Sequence, residues 1–237
     1  MTKARKIAVE LHKWIEGRLG PILTVELVAG LLLSVGVVVA FAELSEEVVE
    51  GETHRVDRMA LLWMNANLPG WLDEPMRAVT ALGYYWVVLP LLAIAACAFY
   101  LKGLKISAVL LGVSTLGSII LTTVLKAVFQ RDRPELFDAG YAASFYSFPS
   151  GHATVAVGFY GTLVLLTVWH VAGGWRWVVA AAGIALVLLI GFSRLYLGVH
   201  YPTDILAGFL TAPLWVSAVG FALFLYRFLR GDRRGET

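Results

Sequence analysis

Between Lys126 and Asp204 the sequence sets three polar clusters in apolar surroundings: Lys126 with Arg133-Pro134, then Pro149-Ser150-Gly151-His152, then Ser193-Arg194 followed by His200 and Asp204. They supply three fixed cations, two histidines and a carboxylate, the parts needed to hold a phosphate and attack it. Arginine offers a planar fork matched to phosphate oxygens, and lysine a compact charge. In Pro-Ser-Gly-His a loop enters a helix, so the N–H groups of Ser150, Gly151 and His152 can point at an anion, and Gly151 lets the backbone come close. In His200-Tyr201-Pro202-Thr203-Asp204 the four-residue separation lets the carboxylate reach back to the imidazole. A carboxylate on one ring nitrogen fixes the tautomer and leaves the other nitrogen a free lone pair, which is an activated nucleophile. His152, carried by a different helix, can protonate a departing alkoxide.

The elements that must position these groups lie in a bilayer. Of 237 residues 59% are hydrophobic and 15% charged, and the mean hydropathy is +0.75, far from soluble proteins. Crossing a hydrocarbon core of roughly 30 Å takes about 20 apolar residues. Six runs approach that length: 21–42, 84–101, 106–125, 152–172, 177–192 and 204–226. The expected fold is all-α, a polytopic membrane protein with six transmembrane helices, forming one domain over residues 1–237.

Topology then places the chemistry. Lys126 and Arg133 follow the third run, Ser150 and His152 open the fourth, and Ser193 to Asp204 join the fifth to the sixth. All three clusters therefore emerge on one side of the membrane. Lys3, Arg5, Lys6, Lys13 and Arg18 near one end, and Arg227, Arg230, Arg233 and Arg234 near the other, put both termini in the cytoplasm and the clusters on the extracytoplasmic face. Residues 1–20 alternate charged and apolar positions as a cytoplasmic amphipathic segment does. The interval 43–83 is expected to be an external loop with short helices of its own, because Val56, Met59, Ala60, Leu62, Trp63 and Met64 recur at helical spacing and Asn67-Leu68-Pro69-Gly70 then breaks the pattern. Such helices could roof the site. Glu26, the acidic residue deep in a run, is read as structural because it lies near the run's end. Cys97 permits no intrachain disulfide and is read as packing.

Taken together, Lys-x6-Arg-Pro, Pro-Ser-Gly-His and Ser-Arg-x5-His-x3-Asp resemble the three-part signature of the type 2 phosphatidic acid phosphatase (PAP2) superfamily, with every signature position filled. The match covers residues 126–204, and the six-run layout is similar to the integral-membrane branch. The resemblance implies a metal-independent phosphatase with a phosphohistidine intermediate. By it, His200 is the nucleophile, Asp204 its orienting partner and His152 the acid, while Lys126, Arg133, Ser150, Gly151 and Arg194 bind the phosphoryl oxygens. No cofactor and no metal are expected: His152 and His200 lack a tight metal-ligand spacing, and nearby cations repel a metal. Ser150 does not sit in a Gly-x-Ser-x-Gly elbow.

His12, His54 and His170 receive no role, and Asp132, Glu135 and Asp138 read as ordinary loop acids. The expected partners are a membrane lipid phosphate and the bilayer, with no nucleic acid, and the expected location is a bacterial plasma (inner) membrane. Candidate substrates are undecaprenyl pyrophosphate, phosphatidylglycerophosphate and phosphatidic acid, the first two ranking equally. The rivals are a lipid phosphotransferase using the same intermediate and a protein that binds or translocates lipid without catalysis. Vanadium-dependent haloperoxidase chemistry, which also resembles this signature, is disfavoured by six spans.

Overall fold

The computed structural model describes residues 30–137 and 140–231, with side chains omitted at 217 and 220–231. The expectations for the 1–20 segment, Glu26, His12 and Asp138 lie outside the described residues. The chain forms two units, 1–39 and 40–237. In the first, residues 30–39 are helical.

The regular structure of the second unit is all helical, with no strand among the described residues. It opens with helical residues 40–50 (α1), then α2 (His54–Asn67), a 3-10 turn (Gly70–Leu72), α3 (Asp73–Ala81) and α4 (Tyr85–Leu101). There follow α5 (Lys105–Phe129) and α6 (Gly151–Val155), which continues through a π-helical stretch (Ala156–Gly161) into α7 (Thr162–His170). Last come α8 (Trp175–Tyr196) and α9 (Pro202–Gly231). Among the described residues three helices are long and apolar enough to cross a membrane: Lys105–Phe129, Gly151–His170 and Trp175–Tyr196. A fourth passes only as a pair, Gly70–Ala81 with Tyr85–Leu101, bent by 50°.

The design of α5 shows how a bilayer inverts the usual pattern. Its buried positions include Ser107, Ser114, Thr115, Ser118, Thr122 and Lys126, whereas Val109, Val113, Ile120, Val124 and Val128 point outward. Lipid offers polar groups no partner, so they turn inward and bond across helices. Ser114 donates to the Gly158 carbonyl at 3.1 Å, a carbonyl of the π-helical stretch, and Thr122 donates to Thr154 at 2.9 Å. Small residues allow the close approach: a Cβ at Gly117 would overlap the Trp215 ring. The apolar centre joins Val88, Leu92, Leu111, Val155, Phe159 and Ile190 from α4 to α8.

Two helices outrun the apolar runs that announced them. The α5 helix continues four residues past 125, so Lys126 occupies its last turn, before Gln130 closes it in a left-handed conformation with its N–H on the Lys126 carbonyl at 3.0 Å. The α8 helix runs to Tyr196, so Ser193 and Arg194 are helical and not part of the connection to α9. A hydropathy window stops at the first charge, but a helix does not when that charge faces the protein interior.

On α2 the apolar spacing points the opposite way from a soluble helix. Val56, Met59, Leu62 and Trp63 are exposed, and the face turned to the protein is Asp57, Leu61 and Met64. Trp71, Trp86, Trp169, Trp175 and Trp177 are also exposed, as belongs to rings at a membrane–water boundary. Cys97, read from sequence as packing, is exposed on α4.

Candidate active site

The three clusters meet. The end of α5, the start of α6, the end of α8 and the α8–α9 turn surround a cavity of about 620 Å³ lined by Lys126, Arg133, Gly151, His152, Arg194 and His200. Ser150 and Asp204 are fully buried behind it. All eight residues singled out in the sequence thus gather at one end of the bundle.

The dyad is built at the start of α9. Asp204 is the third residue of that helix, and its Oδ2 accepts the Tyr201 backbone N–H at 2.9 Å, one half of a capping box. The same oxygen lies 3.2 Å from His200 Nδ1. On the far side of the ring, Arg133 Nη1 is 3.1 Å from Nε2. A guanidinium can only donate, so Nε2 must present its lone pair and Nδ1 must carry the proton given to Asp204. Burial, and then the charges of Arg194, Arg133 and Lys126, hold the His200 pKa well below its ordinary value of 6.5. The imidazole is therefore neutral at physiological pH with its nucleophilic nitrogen toward the cations.

Those cations are seated differently from one another. Arg133 also donates to the carbonyls of Val199 at 2.7 Å, Phe145 at 2.8 Å and Ser144 at 2.9 Å. Burial, followed by the Arg194 charge, pushes its guanidinium down to about 10, which leaves it charged at neutral pH. Lys126 Nζ donates to the carbonyls of Tyr146 and Ser147. Arg194 Nη1 donates to Thr80 at 2.8 Å and to the Tyr141 hydroxyl at 3.0 Å, with its guanidinium over the Tyr141 ring. Its Nε has no hydrogen-bond partner and is buried, as are Ser150 Oγ and His152 Nε2. Buried polar atoms without partners carry a free-energy cost, and here they cluster around one cavity.

One detail departs from expectation and two were not anticipated. The Ser150 N–H does not point at the cavity: it donates to the Asp204 backbone carbonyl at 2.9 Å and ties α6 to α9, leaving the amides of Gly151 and His152 at the helix start. His152 is fixed by Tyr84, whose ring meets it edge-on at 4.9 Å, and by Gly83, where a Cβ would come within 2.5 Å of His152 Cδ2. Finally, Asp204 Oδ1 accepts from Arg131 at 2.7 Å, and Arg131 in turn bonds Asp57 at 2.8 Å. Neither Arg131 nor Asp57 stood out in the sequence, and neither did Thr80, Tyr84 or Tyr141. His54 and His170 lie away from the cavity, and Asp132 and Glu135 are exposed.

Comparison with known proteins gives a consistent picture. Residues 107–232 match the family model described as PAP2 superfamily. Phosphatidylglycerophosphatase B of Bacillus subtilis is 38% identical over 144 residues, 59% of this chain and 69% of that protein. An undecaprenyl-diphosphatase of Sulfolobus acidocaldarius is 30% identical over 159 residues, 65% of this chain and 71% of its own length. Among solved structures, the transmembrane PAP2 type phosphatidylglycerolphosphate phosphatase from Bacillus subtilis superposes with a TM-score of 0.72 at 28% identity, covering 82% of this chain and 98% of that one.

Proposed function

Because the chain belongs to the PAP2 superfamily and is a phosphatase of that family, we propose that it removes the terminal phosphate of a membrane lipid through a phosphohistidine on His200, without a metal ion. The observation that carries this reading is the pair of contacts on the His200 ring, Arg133 at Nε2 and Asp204 at Nδ1, from which the tautomer follows. Nε2 holds a lone pair beside Arg133 while Nδ1–H rests on Asp204, so the nucleophile is prepared before any substrate arrives.

In the first half of the reaction the Nε2 lone pair attacks phosphorus and the bond from phosphorus to the lipid oxygen breaks. His152 gives its Nε2 proton to that oxygen. The ring of His200 now carries positive charge, which Asp204 balances. In the second half His152, left neutral, takes a proton from water as the water oxygen attacks phosphorus. The P–N bond breaks, its electron pair returns to Nε2, and phosphate leaves. Lys126, Arg133 and Arg194, with the Ser150 hydroxyl and the Gly151 amide, bind the equatorial oxygens, where electrostatic stabilisation and positioning do most of the catalytic work in phosphoryl transfer. For this, Arg133 exchanges its bond to His200 for a phosphoryl oxygen and stays beside the reacting atoms.

Two sequence features support an extracytoplasmic site in a bacterial inner membrane: the six apolar runs, and the basic residues near both ends of the sequence. Phosphatidylglycerophosphate and undecaprenyl pyrophosphate are the leading substrates, with phosphatidic acid third, in keeping with the names of the two relatives. The test is a panel of these lipids presented to the purified full chain in detergent with EDTA. Phosphate release should persist in chelator and be greatest for one lipid. Loss of activity on chelation would sink the metal-free mechanism, and label passing to a second lipid instead of to phosphate would establish phosphotransfer.

The seat of His152 gives a second expectation. In Gly83→Ala the new methyl must push the imidazole aside, and a displacement on the order of 1 Å costs up to about 100-fold in turnover. A steady-state assay should show kcat falling by roughly 10- to 100-fold with KM little changed. A wild-type kcat would mean that His152 need not sit where it does.

A further inference from the structure

The structure holds a buried charge chain that the eight signature residues do not account for. It begins on α2, outside the residues matched to the family, with Asp57, which is 1% exposed. Asp57 Oδ2 accepts from Arg131 Nη2 at 2.8 Å and from the Thr203 hydroxyl at 2.6 Å, and Oδ1 accepts the Thr203 backbone N–H at 3.2 Å. The other arm of the Arg131 fork, Nη1, donates to Thr203 Oγ1 at 2.8 Å and to Asp204 Oδ1 at 2.7 Å. Tyr201 closes the assembly, its ring under the Arg131 guanidinium at 4.4 Å. Four groups thus run in line: Asp57, Arg131, Asp204, His200.

We propose that Asp57 is a positioning residue for the His200 nucleophile, acting through Arg131 and through the first turn of α9. The inference rests on His200 being the nucleophile. Two physical effects carry it.

The first is geometric. Asp57 satisfies a backbone N–H in the first turn of α9, a group that no helical partner can reach, and does so at the residue immediately before Asp204. A carboxylate there also complements the positive end of the helix dipole. The α2 helix therefore holds the turn on which the dyad is built.

The second is electrostatic. Arg131 alone would neutralise Asp204 and weaken its hold on the imidazole proton. With Asp57 on the opposite arm, two carboxylates share one guanidinium and the set keeps a net charge of −1. That charge matters when His200 forms its bond to phosphorus and its ring becomes cationic. Among the described residues it is the anionic group facing His200, since Lys126 and Arg133 approach from the α5 side, Arg194 from α8 and His152 from α6.

Position on the chain adds a consequence. The outer face of α2 presents Val56, Met59, Leu62 and Trp63, so the helix that holds the dyad also carries an exposed apolar surface. Thr203 and Arg131 are the contacts through which its seating reaches the reacting nitrogen.

The experiment compares Asp57→Asn, Asp57→Glu and His200→Ala in the full chain, measuring kcat, KM and the acid limb of kcat/KM on one lipid phosphate. Asp57→Asn should lower kcat roughly 10- to 100-fold with KM held within about twofold. Its acid limb should move to lower pH. The sign follows from charge: with the extra carboxylate gone, a proton on His200 is less favoured, so protonation needs more acid. Asp57→Glu, which restores the charge, should recover the acid limb and part of the rate. A purely structural role would lower thermal stability and leave both kcat at low temperature and the acid limb unchanged, and that result overturns the proposal.

If Asp57→Asn does not fold, Arg131→Lys is read in the same way, because an ammonium keeps the charge but cannot fork between two carboxylates. A lowered kcat at unchanged KM supports the proposal, and a wild-type kcat overturns it. Activity surviving in His200→Ala would instead remove the nucleophile assignment itself. An inactive His200→Ala beside a fully active Asp57→Asn removes only the role of Asp57.

Discussion

His200→Ala is expected to reduce phosphate release from every lipid by at least ~10⁴-fold, the scale seen when a nucleophile is deleted from a working set. Phosphate ester hydrolysis is among the slowest uncatalysed reactions, so binding groups alone leave most of the barrier standing. No neighbour can take over. The Ser150 hydroxyl lacks a base, since the buried oxygen has no hydrogen-bond partner. His152 sits on another helix, wedged between Tyr84 and Gly83. The variant should remain folded, because Arg133 keeps its carbonyls at Val199, Phe145 and Ser144, and Asp204 keeps Tyr201 and Arg131. Lipid binding should therefore survive. Labelled donor lipid, quenched during turnover, should leave acid-labile label on the wild-type protein and none on the variant. Turnover within tenfold of wild type would falsify the phosphohistidine step.

Much of this site can be read from the sequence because its parts obey local rules. His200 and Asp204 are four residues apart across a helix start, a spacing that brings side chains together whatever the tertiary fold. Lys126 closes a row of polar residues on α5, spaced so that one face of the helix is polar in a segment that must otherwise be apolar. Span counting alone requires the clusters to meet on one side, and they do meet around one cavity.

What could not be read depends on partners far along the chain. Asp57 and Arg131 are separated by 74 residues, and each alone looks like an ordinary polar side chain in a polar stretch. The apolar residues of α2 also mislead, since at a lipid boundary they mark the outward face and leave the charged residue to find its partner inside. Thr80 and Tyr141 hold Arg194 by hydrogen bonds across 114 and 53 residues, which no pattern of spacing records. Signature positions thus reveal the groups that touch phosphate, and the groups that hold those groups appear only once the helices are packed.

Asp204→Asn tests this supporting layer at its most sensitive point. Asp204 is fully buried and accepts on both oxygens: Oδ1 from Arg131, Oδ2 from His200 Nδ1 and the Tyr201 N–H. An asparagine has one oxygen and one NH2 for these positions. Arg131 can only donate and carries the charge, so the amide oxygen takes the Oδ1 place; the NH2 then faces the imidazole and leaves the Tyr201 N–H without its acceptor. Nδ1 has to become an acceptor, which moves the ring proton to Nε2. The nucleophilic nitrogen is now an N–H, and it confronts the Arg133 donor at 3.1 Å. A near-isosteric change therefore inverts the tautomer. The corresponding change in a serine protease triad costs about 10⁴-fold in kcat, and a loss of roughly 10³- to 10⁴-fold in kcat is expected here at nearly constant KM. Because the three phosphate-binding cations keep their places, inorganic phosphate should still protect the variant against thermal unfolding to a wild-type extent. Loss of that protection together with activity would mean that Asp204 shapes the anion site as a whole. Retained protection with lost turnover would localise its effect to the single proton on the His200 ring.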